Sequence, residues 1–326
     1  MPEEPHKILL DRDLYSVLIK EHFSDSLSLL EEMVNYGSNL VPRCFVSSEK
    51  KISDVVIVLN FLKQAVSLLD SIHILAAKGS TVPCFISLRS LFEISVYLDW
   101  IFQKDTEKRG SLYFVWHRRK KLYWALSVKK GTPEHETHKK HMANSSTGAE
   151  LKGVDEKLID AQISLLKNQL SMPEFSAINQ EFEKLKNRLK DREWYLPGGV
   201  GNFREMAKTV KREHEYKVFY SSFSAITHGL AFDEQVSFSN ETVFFEPIRN
   251  LTRIDEVFRN AFNFAMGIYR SALTHYRPAE LATFNKKYVN EWRQRFLSVK
   301  KVEYKNGTYT IQGQDLSKLT SHPIKI

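Results

Sequence analysis

The residues from Thr81 to Gln103, reading PCFISLRSLFEISVYLDWIF from the proline onward, are apolar on nearly every side of a helix. A helix apolar all round is a core helix, because it has no polar face to turn towards water. This one nevertheless carries Arg89 and Glu93 one turn apart, and a buried arginine without a partner is strongly unfavourable. The spacing therefore predicts a polar pair at the centre of an all-helical core. Asp99 interrupts the same run, so the segment reads as a core helix and not as a membrane span.

Composition supports the helical reading. Only 13 Gly and 10 Pro occur in 326 residues, while 42% are hydrophobic, a balance that favours helices over a strand-rich fold. The 47 basic and 39 acidic residues leave a net charge of +8, which suits contact with a polyanion. Cys44 and Cys84 both sit among apolar residues and read as free thiols in a reducing compartment. The N-terminus, MPEEPHKILLDRD, has acids and prolines where a signal peptide needs basic residues. A cytoplasmic protein without membrane contact is expected.

Along the chain, residues 9–35 carry apolar residues at helical spacing, with Gly37 placed to stop the helix. Residues 38–51 read as a polar connection, and Ser53 as the cap of a second apolar helix ending at Gly79. Thr81 and Pro83 open the organising helix. Residues 106–130 interleave aromatic clusters with His117, Arg118, Arg119, Lys120 and Lys121, a stripe that could track phosphates. Residues 131–150 read as a polar loop holding His135, His138 and His141, evenly spaced and unlike a zinc-protease helix; no metal site is assigned. Two amphipathic helices follow near 154–170 and 172–193, then a glycine-rich turn at 194–202. Residues 232–249 read as a short strand pair or an ordered loop, Asn250 as the cap of a long helix, and Asn306-Gly307 as a hairpin turn. The expected fold is all-α, a bundle of eight to ten helices with a small C-terminal β-hairpin. Residues 1–130 and 151–300 would be two halves of one domain, and 301–326 a hairpin and tail.

Three constellations carry chemistry. Tyr220, Ser224 and His228 recur at i, i+4 and i+8 and so share a helix face. Facing Arg89 and Glu93, they would form either a structural network or a site in which Arg89, Tyr220 and Ser224 bind the ligand. Glu93 and His228 would then act as catalytic groups, with Arg118 and Arg119 supplying counter-charge. A second option is Arg270 with His275. That R-x4-H spacing resembles ribonucleases of the HEPN class, which would imply an arginine and a histidine from two protomers acting on an RNA backbone. A third makes Ser224 a nucleophile beside His228, although no Gly-x-Ser-x-Gly elbow is present.

RSLFEISVYLDWI and YSSFSAITHG together resemble the paired signatures of a bacterial domain-of-unknown-function family, number 5677. The resemblance covers about residues 50–235 and rests on Arg89, Glu93, Ser224, His228 and Gly229. It implies an all-helical protein with no settled activity, in a toxin-like or defence setting. The functional expectation is a ribonuclease or phosphate-ligand hydrolase acting on RNA, a nucleotide or another phosphate-bearing ligand. The alternative is a non-catalytic interaction module, a homodimer or a subunit of a defence assembly. No cofactor follows from the residues.

Overall fold

The computed structural model describes residues 9–143, 155–185, 191–229, 235–239, 242–305, 308–312, 314–320 and 322–325. Among these are eleven helices, counting π-helical stretches with the helices they interrupt, and two small antiparallel sheets. The all-α bundle with a small C-terminal hairpin is thus what the chain forms. It divides into two compact units. The first comprises Met1–Glu49, Ile57–Phe102 and Ala207–Ile326; the second comprises Lys50–Val56 and Gln103–Met206. These do not follow the expected halves, since the anticipated 131–150 boundary falls inside the second unit.

In the first unit, α1 (Arg12–Ser47) starts where Asp11 accepts a hydrogen bond from the Leu14 amide at 3.0 Å. Its buried residues, from Tyr15 and Ile19 through Phe23, Leu30, Met33, Gly37, Leu40 and Cys44, recur at helical spacing along one stripe. Gly37 does not end the helix, which continues through Pro42 to Ser47. Gly37 is instead a point of close approach. A Cβ there would lie 2.1 Å from the Tyr269 hydroxyl oxygen and 2.7 Å from Val66. Tyr269 is fully buried and donates to the Met33 carbonyl at 2.9 Å.

The helix α2 (Ile52–Ala77) contains a π-helical stretch, Val55–Leu62, and α3 spans Thr81–Gln103. Both are long and apolar enough to cross a membrane by length and composition, and 56% of each such window is buried within the protein. The start of α3 is tied down by the Thr81 hydroxyl, which donates to the Asn250 carbonyl at 2.8 Å. Helix α8 (Phe203–Thr209) leads to α9 over residues 213–227. Then come α10 (Ile254–Tyr276) and α11 over residues 281–297. Asn250 lies before α10 rather than at its cap, and its side chain accepts from the Thr252 amide at 3.1 Å.

The strands also belong to this unit. β1 (Val236–Ser239) and β2 (Thr242–Phe245) pair, which decides between the two readings of that stretch; β3 (Val302–Lys305) and β4 (Thr308–Ile311) form the C-terminal hairpin. The Asn306-Gly307 turn itself lies outside the described residues. The tail adds strands to both sheets: β5 (Gln314–Thr320) extends the β3–β4 sheet and β6 (His322–Lys325) pairs with β2.

In the second unit, α4 (Thr106–Val128) is accompanied by α5 (Pro133–Ala143), α6 (Glu156–Ser171) and α7 (Pro173–Glu183). Residues 133–143 are helical where a loop was expected. The Thr132 hydroxyl accepts from the His135 amide, and acids lie in the first turn with Lys140 and His141 in the last, an order that suits the helix dipole. Residues 144–150 of the expected loop lie outside the described set.

Replacing Gly37 with alanine should overpack the Tyr269 contact and cost about 1–3 kcal/mol. Thermal unfolding followed by circular dichroism should show a clear fall in midpoint. An unchanged midpoint would mean that α1 and α10 separate freely there.

Candidate functional site

The polar interruptions of α3 meet α9. The latter is π-helical over Tyr216–Tyr220 and α-helical over Ser221–Thr227. It ends with His228 at its C-cap and Gly229 at φ +68°. A Cβ on Gly229 would meet nothing within 4 Å, so the glycine serves the left-handed turn that closes the helix rather than a close approach. That turn leaves His228 exposed at the helix end.

Arg89 is the hub. Its Nε donates to Glu93 Oε1 at 3.2 Å, its Nη2 to the Tyr220 hydroxyl at 2.8 Å, and its Nη1 lies 3.3 Å from His228 Nε2. A guanidinium has only donors, so this last bond requires an unprotonated His228 Nε2. The Arg89 guanidinium also lies over the Tyr220 ring, 4.7 Å from its centroid. Burial alone would lower the Arg89 pKa, but the Tyr220 hydrogen bond and the Glu93 charge outweigh it and the net direction is upward. Tyr220 is raised by burial and then by the Glu93 carboxylate. The arginine therefore stays cationic and the phenol stays protonated at neutral pH.

The cluster is not sealed at a bundle centre, as the apolar context of α3 suggested. The side chains of Arg89 and Glu93 keep 17% and 27% of their exposure. Partial hydration explains why a pair of charges is tolerated on so apolar a helix. Three of the five N–H donors of a guanidinium are engaged by these partners, which leaves two for a ligand.

One turn further along α3 lies a second network that sequence reasoning missed. Arg212 donates through Nη1 to Ser95 at 2.6 Å and to Asp99 at 3.1 Å, and it also pairs with Glu215. The Ser271 hydroxyl donates to Asp99 at 2.9 Å. Phe92 joins the two clusters, with Arg212 over its ring at 5.0 Å and Tyr220 tilted against it at 6.4 Å. The available signal was Asp99, the third charge on an apolar helix. Its pKa is raised, chiefly by burial, although Arg212 and Ser271 pull the other way.

The remaining expected site residues fall elsewhere. Ser224 is half-buried between Tyr220 and His228, but its short side chain makes no hydrogen bond to the cluster among the described residues; its carbonyl accepts the His228 amide, at 3.1 Å. A Ser224–His228 nucleophile pair is therefore not formed. Arg119 is not ligand-facing. It is 8% exposed and binds Asp191, Asn179 at 2.5 Å and Glu183 at 2.7 Å, holding α7 and the Asp191 segment against α4. Arg118 lies over the Phe114 ring at 4.6 Å, with its Nε enclosed and unpaired, and burial lowers its pKa. Arg270 and His275 are both exposed on α10 but diverge. Five residues of helix separate them by about 140° around the axis. Arg270 reaches Asn285 at 3.4 Å, and His275 stacks on Phe102 at 4.6 Å. His135 bonds the Ser127 carbonyl and His138 packs on Trp124. Among the described residues no group of three histidines, cysteines or carboxylates is arranged to hold a metal ion.

A family model described as "Family of unknown function (DUF5677)" matches residues 55–242. That span contains the whole Arg89 cluster and does not reach Arg270 or His275. No curated protein and no solved structure matches the chain.

The raised Asp99 pKa has a consequence for stability. The folded state holds the Asp99 proton to higher pH than the unfolded chain, so stability falls as pH rises through the window just above the ordinary value of 3.8. Asp99→Asn abolishes this titration. Thermal midpoints measured between pH 3 and 6 should show wild type losing ground to the variant as pH rises. A constant difference would place the Asp99 pKa at its unfolded value.

Proposed function

The chain belongs to the family of unknown function DUF5677, and from the cluster that this family region encloses we propose a cytoplasmic protein acting on RNA or another phosphate-bearing ligand. The observation that carries the reading is Arg89: a guanidinium that keeps 17% of its exposure and has two donors left, beside an exposed imidazole and a carboxylate. Phosphate oxygens are natural partners for such a fork. A phosphate drawn to Arg89 would sit next to His228, and in taking over the Arg89 Nη1 donor it would free the lone pair of His228 Nε2 to accept a proton from an attacking hydroxyl or water. Glu93 and Tyr220 orient the guanidinium, so its position is set before the ligand arrives. The net charge of +8 favours encounter with a polyanion. The toxin-like or defence setting implied by the resemblance is part of this proposal.

A second reading, a non-catalytic interaction module, is favoured by one feature of the second unit. Tyr123 and Trp124 on α4 are 52% and 60% exposed, and Leu158 and Leu165 on α6 are 68% and 57% exposed. Leu158 and Leu165 lie two turns apart and so share a face. Large apolar side chains left to water in this way mark contact surfaces. Under this reading, light scattering at increasing concentration detects self-association, and Leu158→Ser with Leu165→Ser removes it. A monomer at every concentration would count against a homodimer.

The first reading is tested by binding and cleavage of tRNA and total RNA at low and moderate salt, with wild type, Arg89→Ala, His228→Ala and His275→Ala. Loss of the Arg89 contacts should weaken binding about tenfold or more. His228→Ala should lose cleavage while keeping binding, and binding should fall with added salt. Cleavage lost only in His275→Ala would transfer the activity to the Arg270–His275 pair. A folded wild type that neither cuts nor binds RNA in a salt-sensitive way would leave the interaction module as the better account.

A further inference from the structure

The second unit holds a cavity of about 800 Å³ between the N-terminal turns of α2 and α4 and the start of α7. Nothing in the Arg89 cluster accounts for it. Two of its lining residues are serines that the fold has all but enclosed, Ser53 at 4% and Ser111 at 6% exposure. Neither hydroxyl has a hydrogen-bond partner among the described residues, and neither is sealed off in the way that unpaired buried atoms elsewhere in the protein are. Both residues line the cavity. Elsewhere in this chain helical serines satisfy themselves on the carbonyl four residues back, as Ser16 and Ser71 do. Enclosing a hydroxyl without a partner costs stability, and both of these line the same cavity.

Their proximity depends on Gly110. A Cβ there would lie 2.8 Å from the Ser53 Cβ and 3.0 Å from its Cα, so only glycine lets the first turn of α2 lie against α4. Both helices present positive N-terminal ends to the cavity, and Asp105 does not cap α4 with its side chain. Lys50 and Asp105, at φ +59° and +49°, hold left-handed backbone on the cavity wall, a conformation unfavourable for residues with a Cβ. Lys51 is paired with Glu107 and Lys108 with Glu181, each at 2.8 Å, so the rim is not a bare cationic patch. Asp105 and Glu174 add acceptors, and Phe175 and Ile178 add an apolar wall.

We propose that this cavity binds a small hydroxylated phosphate ester, such as a sugar phosphate or a mononucleotide. Its phosphate oxygens accept from the Ser53 hydroxyl in the first turn of α2 and the Ser111 hydroxyl in the second turn of α4, near the positive ends of both helices. Its own hydroxyls donate to Asp105 and Glu174, and its carbon skeleton lies against Phe175. A tetrahedral phosphate suits donors converging from two helices better than a planar carboxylate does, and the carboxylates on the wall disfavour a long polyanion. The site is separate from the Arg89 cluster and does not depend on its proposed role.

Calorimetric titration of the full chain with inorganic phosphate, ribose 5-phosphate, AMP and gluconate tests this. Ribose 5-phosphate or AMP should bind saturably and more tightly than inorganic phosphate or gluconate. The double variant Ser53→Ala/Ser111→Ala should weaken that binding at least tenfold without lowering the thermal midpoint of the free protein, because the hydroxyls have no partner to lose. Arg89→Ala should bind as wild type does. Hydrogen exchange on wild type gives a measurement independent of the variants, with ligand protecting residues 50–54 and 105–111. The proposal is overturned if wild type binds neither ester, if the double variant binds undiminished, or if protection and sensitivity to Arg89→Ala place the ligand at residues 220–228.

Discussion

A charge on a helix that is otherwise apolar has to be answered from another helix, and α3 carries three such charges. Arg89, Glu93 and Asp99 are met by Tyr220, His228 and Arg212, all of them in or beside α9. Removing one partner from such a set leaves a poorly hydrated charge behind, so the pairing sets which face of α9 turns towards α3. Phe92, between the two clusters, takes Arg212 over its ring and packs against the tilted ring of Tyr220. Helix register in the first unit is thus specified by polar contacts embedded in aromatic packing.

The two clusters differ in what they have left to offer. Arg212 is committed to Ser95, Asp99 and Glu215, and Asp99 also takes the Ser271 hydroxyl. That network is closed and reads as structural. Arg89 has donors to spare and an exposed neighbour in His228. Both centre on an arginine that links α3 to residues in or beside α9, and it is solvent access and residual donor capacity that separate them. The second unit repeats the contrast. Arg119 is consumed by Asn179, Glu183 and Asp191, whereas Ser53 and Ser111 retain unused hydroxyls beside a cavity.

Much of the first cluster was legible in the chain. Arg89 and Glu93 stand out because their neighbours are apolar, and Tyr220 and His228 because they recur at multiples of four. Ser224 follows the same rule and fails for lack of reach: periodicity reports the face a residue occupies but not the length of its side chain. Arg119 misled for the opposite reason. It lies in a basic run that looks solvated, and its three acceptors come from positions 60 to 72 residues away, at separations no local pattern records. Arg212 was hidden likewise, in a polar stretch far from Asp99. Gly37 and Gly110 carry no local mark that distinguishes a helix stop from a close approach; only the neighbouring helix decides.

The sequence by itself determined the helical class, the identity of the core helix, the C-terminal hairpin, and the need for polar partners opposite Arg89 and Glu93. Each follows from periodicity, turn chemistry or the cost of an unpaired charge, and these are properties of a segment. Tertiary structure decided which arginines are consumed and which remain available, that the Arg89 cluster opens to solvent, that residues 133–143 are helical, and that the C-terminal tail completes both sheets. It also decided that the N-terminal turns of α2 and α4 meet at a cavity. Those outcomes depend on contacts between residues distant in the chain, where the balance of desolvation, hydrogen bonding and close packing is set.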